Sequence, residues 1–148
     1  EELAQNPDNL LTLGLIEFNG LKDLHDTLPV ASLHWVLQRI TLLLQKELRG
    51  NDTIGRWNDS TFVVMLPNTP GPAANTIFER IYQVLSVPIE LGQLGSVVTL
   101  DPHIGGAEYS NNISMEELLE KSDTALNQAR RDNTKPVYVW TLKNPFWQ

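Results

Sequence analysis

The sequence predicts an α+β domain, a central and mainly antiparallel sheet with helices packed on it. Three observations predict it. The chain has 148 residues, 41% of them hydrophobic, which suits one core, since a chain near 150 residues buries about 68–70% of its unfolded surface. Short apolar runs alternate with longer stretches whose apolar residues recur at spacings of three and four. Two of the short runs are separated by only three residues, which marks a hairpin at the centre of the chain.

The elements follow in order. Residues 1–9 are polar, are broken at Pro7 and read as a lead-in linker. Leu10–Phe18 is a nearly unbroken apolar run that stops at Asn19-Gly20, as a buried central strand does. Thr27-Leu28-Pro29 reads as a helix start, with Thr as cap and Pro in the first turn. Val30, Leu33, Leu37, Ile40, Leu44 and Leu48 then trace one face of a long helix ending near Arg49-Gly50. Thr53–Trp57 and Thr61–Leu66 flank Asn58-Asp59-Ser60, a hairpin tip where Asn or Asp can take positive φ. After the loop Pro67–Pro72 a helix is predicted over Ala73–Leu85, with Ala74, Ile77, Phe78, Ile81 and Leu85 inward.

Val87–Leu91 and Ser96–Tyr109 are strand-like across a Gly-rich turn, and Asp101-Pro102 marks a bulge or an edge position. Ser114-Met115-Glu116-Glu117 fits a capping box. The helix behind it runs to about Arg131 with Met115, Leu118, Leu119, Ser122, Leu126 and Ala129 inward. Asn133–Pro136 ends it, and Val137–Leu142 is the last strand. Residues 143–148 form an aromatic tail. The order β-α-β-β-α-β-α-β matches a ferredoxin-like palm.

Composition narrows the function. Eleven basic against 18 acidic residues give a net charge of −7, which disfavours nucleic acid and anionic membrane surfaces as partners. No apolar run approaches the ~20 residues of a membrane span. The absence of cysteine excludes disulfides, thiolate catalysis and Cys-type zinc sites. The chain starts at Glu1 without a leader and reads as a fragment or processed chain. Its expected place is the cytoplasm, free or tethered to a membrane protein through flanking segments.

Three segments together resemble the GGDEF domain, the diguanylate cyclase-like fold, from about Leu11 to Val139, within a domain expected over residues 10–142. Leu15–Asp26 (LIEFNGLKDLHD) is similar to the family's first strand and its Asp-based signature. Leu48–Thr69 (LRGNDTIGRWNDSTFVVMLPNT) is similar to its hairpin LRxxDxxARxGGDEFxxLLP. Ser122–Val137 (SDTALNQARRDNTKPV) is similar to its last helix, ADxALYxAKxxGRNxV. The resemblance implies a nucleotide cyclase-like palm, in a larger bacterial signalling protein.

The departures bear on activity. The family pentad falls on Asn58, Asp59, Ser60, Thr61 and Phe62. In active members its glycines admit the nucleotide and its acidic third and fourth residues help bind metal. Ser60 and Thr61 carry no carboxylate, and paired Mg²⁺ ions need hard, charged oxygens. Asp59 adds negative charge where a triphosphate would lie. Glu17 falls on the family's metal-binding Asp, and Mg²⁺ is expected only if Glu17 retains residual nucleotide binding. The guanine-reading Asn and Asp fall on His25 and His34, and a neutral imidazole cannot accept from both donors of the guanine edge. The phosphate-contacting Lys and Arg of the last helix fall on Arg130 and Thr134. The resemblance therefore implies a domain that has lost cyclase activity and has no catalytic residues.

One family site is retained. Arg49-Gly50-Asn51-Asp52 matches the RxxD inhibitory motif, which in the family binds cyclic di-GMP, and Arg80 stands where a second arginine often completes it. The competing reading is an Arg49–Asp52 ion pair that closes the helix-to-strand turn. Glu17 likewise reads as a metal ligand or as a leftover acid at a strand end, and Glu17 with His25 and His34 as an improvised metal site. The leading functional expectation is an inactive cyclic di-GMP receptor acting on a neighbouring domain. The alternatives are a dimerisation or docking scaffold that binds no small molecule, including to a second copy of itself, and a residual cyclase.

Overall fold

The computed structural model describes residues 10–91, 97–109, 113–132 and 134–141. The lead-in, the Gly-rich turn at 92–96 and the aromatic tail lie outside the described residues. The order is β1 (Leu11–Asn19), α1 (Leu21–Thr27), α2 (Val30–Glu47), β2 (Thr53–Asn58), β3 (Thr61–Pro67), α3 (Gly71–Leu85), β4 (Ile89–Glu90), β5 (Val97–Val98), β6 (Asp101–Tyr109), α4 (Met115–Arg131) and β7 (Val137–Trp140). Five strands form one sheet in the order β2-β3-β1-β6-β7, and β4 pairs with β5 separately. β1 pairs antiparallel with β3 and β6, β2 antiparallel with β3, and β7 parallel with β6. The α+β palm is therefore as expected.

β1 is buried on both faces because it is the central strand, which explains why its sequence is a run and not an alternation. Ile16 and Phe18 pack with Phe62, Val64 and Ile104 against α2 and α3. Leu11, Leu13 and Leu15 pack with Ala107 and Tyr109 against α4. Burying each such side chain stabilises the fold by about 1.5–3 kcal/mol. Two close approaches set the layer spacing. A Cβ on Gly105 would lie 2.0 Å from the Leu126 backbone nitrogen, so α4 sits directly on β6. Gly14 and Gly106 face one another across β1 and β6, and the Phe78 ring fills the space their side chains would take.

Several local expectations are corrected. Thr27 does not cap the long helix; it ends α1, with its hydroxyl donating to the Asp23 carbonyl at 2.9 Å. His25 is accordingly helical. The core face of α2 is Val36, Ile40 and Leu44, while Val30 is 85% exposed. Val30 is the first residue of the helix, a full turn and a half before its first buried residue, Val36. The run from Ser96 is split, because β5 turns away to pair with β4 before β6 begins. Pro102 does sit at an edge: it opposes Phe18 on β1, and β7 pairing begins only at Ile104. The capping box is present, with Glu117 N donating to Ser114 Oγ and Ser114 N to Glu117 Oε1, both at 3.1 Å.

Candidate functional site

Glu17 lies at the end of β1, opposite Thr61 of β3 and His103 of β6. It shares the face of Leu11, Leu13 and Leu15, which α4 covers. There it meets Arg130 in the last turn of α4. Arg130 Nε donates to Glu17 Oε1 at 2.5 Å and Nη2 donates to Oε2 at 2.9 Å, a bidentate fork. Nη1 donates to Asn127 Oδ1. The Glu17 side chain is 18% exposed and that of Arg130 38%. The hydrogen bond to Glu17 raises the Arg130 pKa against the opposing effect of burial.

The hairpin tip is built from side chains. The Asn58 side-chain oxygen accepts from Ser60 N at 2.9 Å and from Ser60 Oγ at 3.3 Å. Arg56 donates from Nε and Nη2 to the Asn58 carbonyl at 3.3 and 3.0 Å, and its guanidinium lies 4.9 Å from the Phe62 ring centre. The expected positive φ at the tip is absent; among the described residues Asn68 is the one non-glycine with it. The physical reason is the Asx-type turn at Asn58 together with a register slip between Arg56 and Asn58, which closes the hairpin without left-handed backbone. Phe18 N donates to the Ser60 carbonyl at 2.9 Å and holds the tip against β1.

This donor set does not fit a pair of divalent cations. Its one carboxylate at the strand end, Glu17, has both oxygens engaged by a guanidinium; Ser60 and Thr61, at the family's two acidic positions, bring only hydroxyls, and the one carboxylate of the tip itself is Asp59. Among the described residues no three metal-ligating side chains come together, so the grouping of Glu17 with His25 and His34 does not form. His34 lines a cleft of ≈ 500 Å³ between α2 and the hairpin, with Leu37, Gln38, Thr41, Leu42, Arg56 and Phe62; His25 is not among the residues lining it. Thr134 turns to Asp132, to which its hydroxyl donates at 2.7 Å.

Arg49 and Asp52 are joined. Asp52 Oδ2 accepts from the Arg49 backbone N at 2.8 Å and from Nε at 3.3 Å, and Oδ1 accepts from Nη2 at 3.1 Å. The Asp52 side chain is fully covered, whereas Arg49 is 54% exposed. Nη2 also donates to the Pro67 carbonyl at 3.2 Å and to the Thr69 hydroxyl. Arg80, on α3, pairs through Nε with Glu47 Oε1 at 3.3 Å. Both arginines thus converge on the end of α2. His103, Asn127 and Thr69 were not anticipated: the first needs the sheet register, the third a loop contact. The spacing of Asn127 three residues before Arg130 was the one usable signal.

Comparison with known proteins agrees with the fold. The family described as "Diguanylate cyclase, GGDEF domain" matches residues 1–136. Diguanylate cyclase A of Treponema denticola is 26% identical over 128 residues, 86% of this chain and 34% of that protein. The probable diguanylate cyclase DgcC of Escherichia coli K12 is 31% identical over 121 residues, 81% of this chain and 32% of that protein. The chain thus spans about a third of the length of these curated relatives. The GGDEF domain of DgcB from Caulobacter crescentus, solved in complex with c-di-GMP, superposes with a TM-score of 0.80 at 16% identity, over 92% of this chain and 82% of that one. Among the described residues no helix is long and apolar enough to cross a membrane.

Proposed function

Because the chain belongs to the GGDEF, diguanylate cyclase family, we propose that it is a catalytically silent member that serves as a cyclic di-GMP receptor and acts on a neighbouring domain. The observation that carries the loss of catalysis is the bidentate Glu17–Arg130 pair. A guanidinium occupies the carboxylate that a metal would need, and the family's two acidic positions at the tip, Ser60 and Thr61, offer only hydroxyls to replace it. The receptor role is supported by Arg49 and Arg80, both more than half exposed, the first just past the end of α2 and the second paired with Glu47, the last residue of that helix. A planar guanidinium suits a phosphodiester or a purine edge. The solved DgcB domain provides the precedent of a GGDEF fold with c-di-GMP bound. Binding acts as a signal only where the ligand favours one arrangement of domains over another.

A second reading, a scaffold that binds no nucleotide, is favoured by one observation. Both arginines already hold carboxylate partners, and Asp52 lies beneath Arg49. A ligand that uses both Arg49 and Asp52 must first separate them, at a cost of about 1–3 kcal/mol.

Calorimetry separates the readings. Cyclic di-GMP is expected to bind the wild type and to lose at least roughly tenfold in affinity with Arg49→Ala, the loss of one charged hydrogen-bonding group. No heat with wild type leaves the scaffold. Chromatography after incubation with GTP and Mg²⁺ is expected to detect no product; turnover that vanishes in Glu17→Ala would overturn the silent reading.

A further inference from the structure

The guanidinium that covers Asp52 also grips the loop between β3 and α3. Its Nη2 donates to the Pro67 carbonyl and to Thr69 Oγ1, and that hydroxyl donates in turn to the Pro67 carbonyl at 2.9 Å. Thr69 is 2% exposed and Thr12, on β1, is fully buried; the Thr12 hydroxyl donates to the Thr69 carbonyl at 2.7 Å. Between them Asn68 takes a positive φ of 56°, and its N–H donates to the Leu10 carbonyl at 2.7 Å. One loop of three residues therefore joins the Arg49 turn to the point where the chain enters β1.

We propose that Arg49 and Thr69 form a latch that couples occupancy of the Arg49 turn to the entrance of the sheet at Leu10. The inference rests on the receptor reading for its ligand but not for its mechanics. Asp52 is reached only when Arg49 moves off it, and the same Nη2 serves Asp52, Pro67 and Thr69. Occupancy thus withdraws the latch. Thr69 loses the cation that fixes its hydroxyl, and a non-glycine residue in the left-handed region relaxes more readily once its neighbours release it. The Asn68–Leu10 bond weakens with it. By reciprocity, any force on Leu10 that opens this loop raises the affinity for the ligand by the same factor.

The sign of the Thr69 effect separates a latch from a residue that merely orients Arg49. Thr69→Val keeps the shape and removes the hydroxyl. It is expected to bind cyclic di-GMP several-fold more tightly than wild type, because the latch is already open. A positioning role gives weaker binding, and Thr69→Ser returns to wild type in either case. Amide exchange of Asn68, read by NMR, is expected to speed up roughly tenfold in Thr69→Val and Arg49→Ala without ligand, the equivalent of one net hydrogen bond, and in wild type on adding cyclic di-GMP. Unchanged Asn68 exchange in both variants overturns the latch even if the dinucleotide binds. Absence of binding to wild type overturns the receptor reading instead, and the ligand-free exchange then still decides the latch.

Discussion

Arg130 sits 113 residues along the chain from the carboxylate it grips. Glu17 is mostly covered, so removing its partner leaves an ionised group with little water to take over. Arg130→Ala is expected to lower stability by about 1 kcal/mol, a modest figure because the arginine itself is more than a third exposed. Arg130→Lys rescues only part, since an ammonium cannot make the fork. In a urea double-mutant cycle with Glu17→Gln the two costs are expected to be less than additive; strict additivity would show that the pair contributes nothing. Both residues were legible in the sequence as family positions. Their pairing was not, because nothing in a linear spacing says that the end of β1 and the last turn of α4 share one face of a sheet. The enclosure of Asp52 was open for a related reason: the motif Arg49-x-x-Asp52 is the same string whether the carboxylate faces a ligand or its own arginine.

At the scale of elements, the end of α4 is held by a second cluster. Asp132 accepts from the Tyr138 hydroxyl at 2.6 Å, the Thr134 hydroxyl at 2.7 Å and Thr134 N at 2.9 Å. These bonds, the Tyr138 bond first, lower its pKa to about 2, and the same contact raises that of Tyr138. A carboxyl whose folded pKa is depressed contributes stability above its unfolded value near 3.9 and loses it as the pH falls toward 2. The turn joining α4 to β7 is therefore expected to hold through pH 4 and loosen only below it. Tyr138→Phe should raise the Asp132 titration midpoint toward the ordinary range, as followed by carboxylate carbon shifts; an unmoved midpoint would remove Tyr138 as the cause. Among the elements, α3 and α4 were the easiest to read, since fifteen and seventeen residues carry several turns of period and α4 its capping box. Helix α1 escaped because seven residues give under two turns, and its N-cap is Gly20 at φ 85°, which in sequence reads as the end of a strand.

For the whole molecule, β1 and β6 are shared by the two hydrophobic clusters, one on each face of the sheet. Neither layer can separate without exposing the other's floor, so denaturant unfolding is expected to be a single transition. Far-ultraviolet circular dichroism and tryptophan fluorescence should coincide. Gly105→Ala drives a methyl into the Leu126 backbone, and it should shift both probes together by about 3 kcal/mol; separate transitions would show that α4 is an independent layer. The palm and most of the element order were legible, because runs and periods mark strands and the longer helices directly. The strand order and the parallel β7 were not, since they rest on pairing between strands far apart in the chain, and neither was the layer spacing, which depends on glycines whose absent side chains leave no pattern. The placement of β1 also has a temporal side. Within this domain it is the first strand made, and the guanidinium that completes Glu17 leaves the ribosome more than a hundred residues later. A nascent chain halted before α4 carries a bare anion near the end of its central strand, which makes the last helix the step that seals the domain.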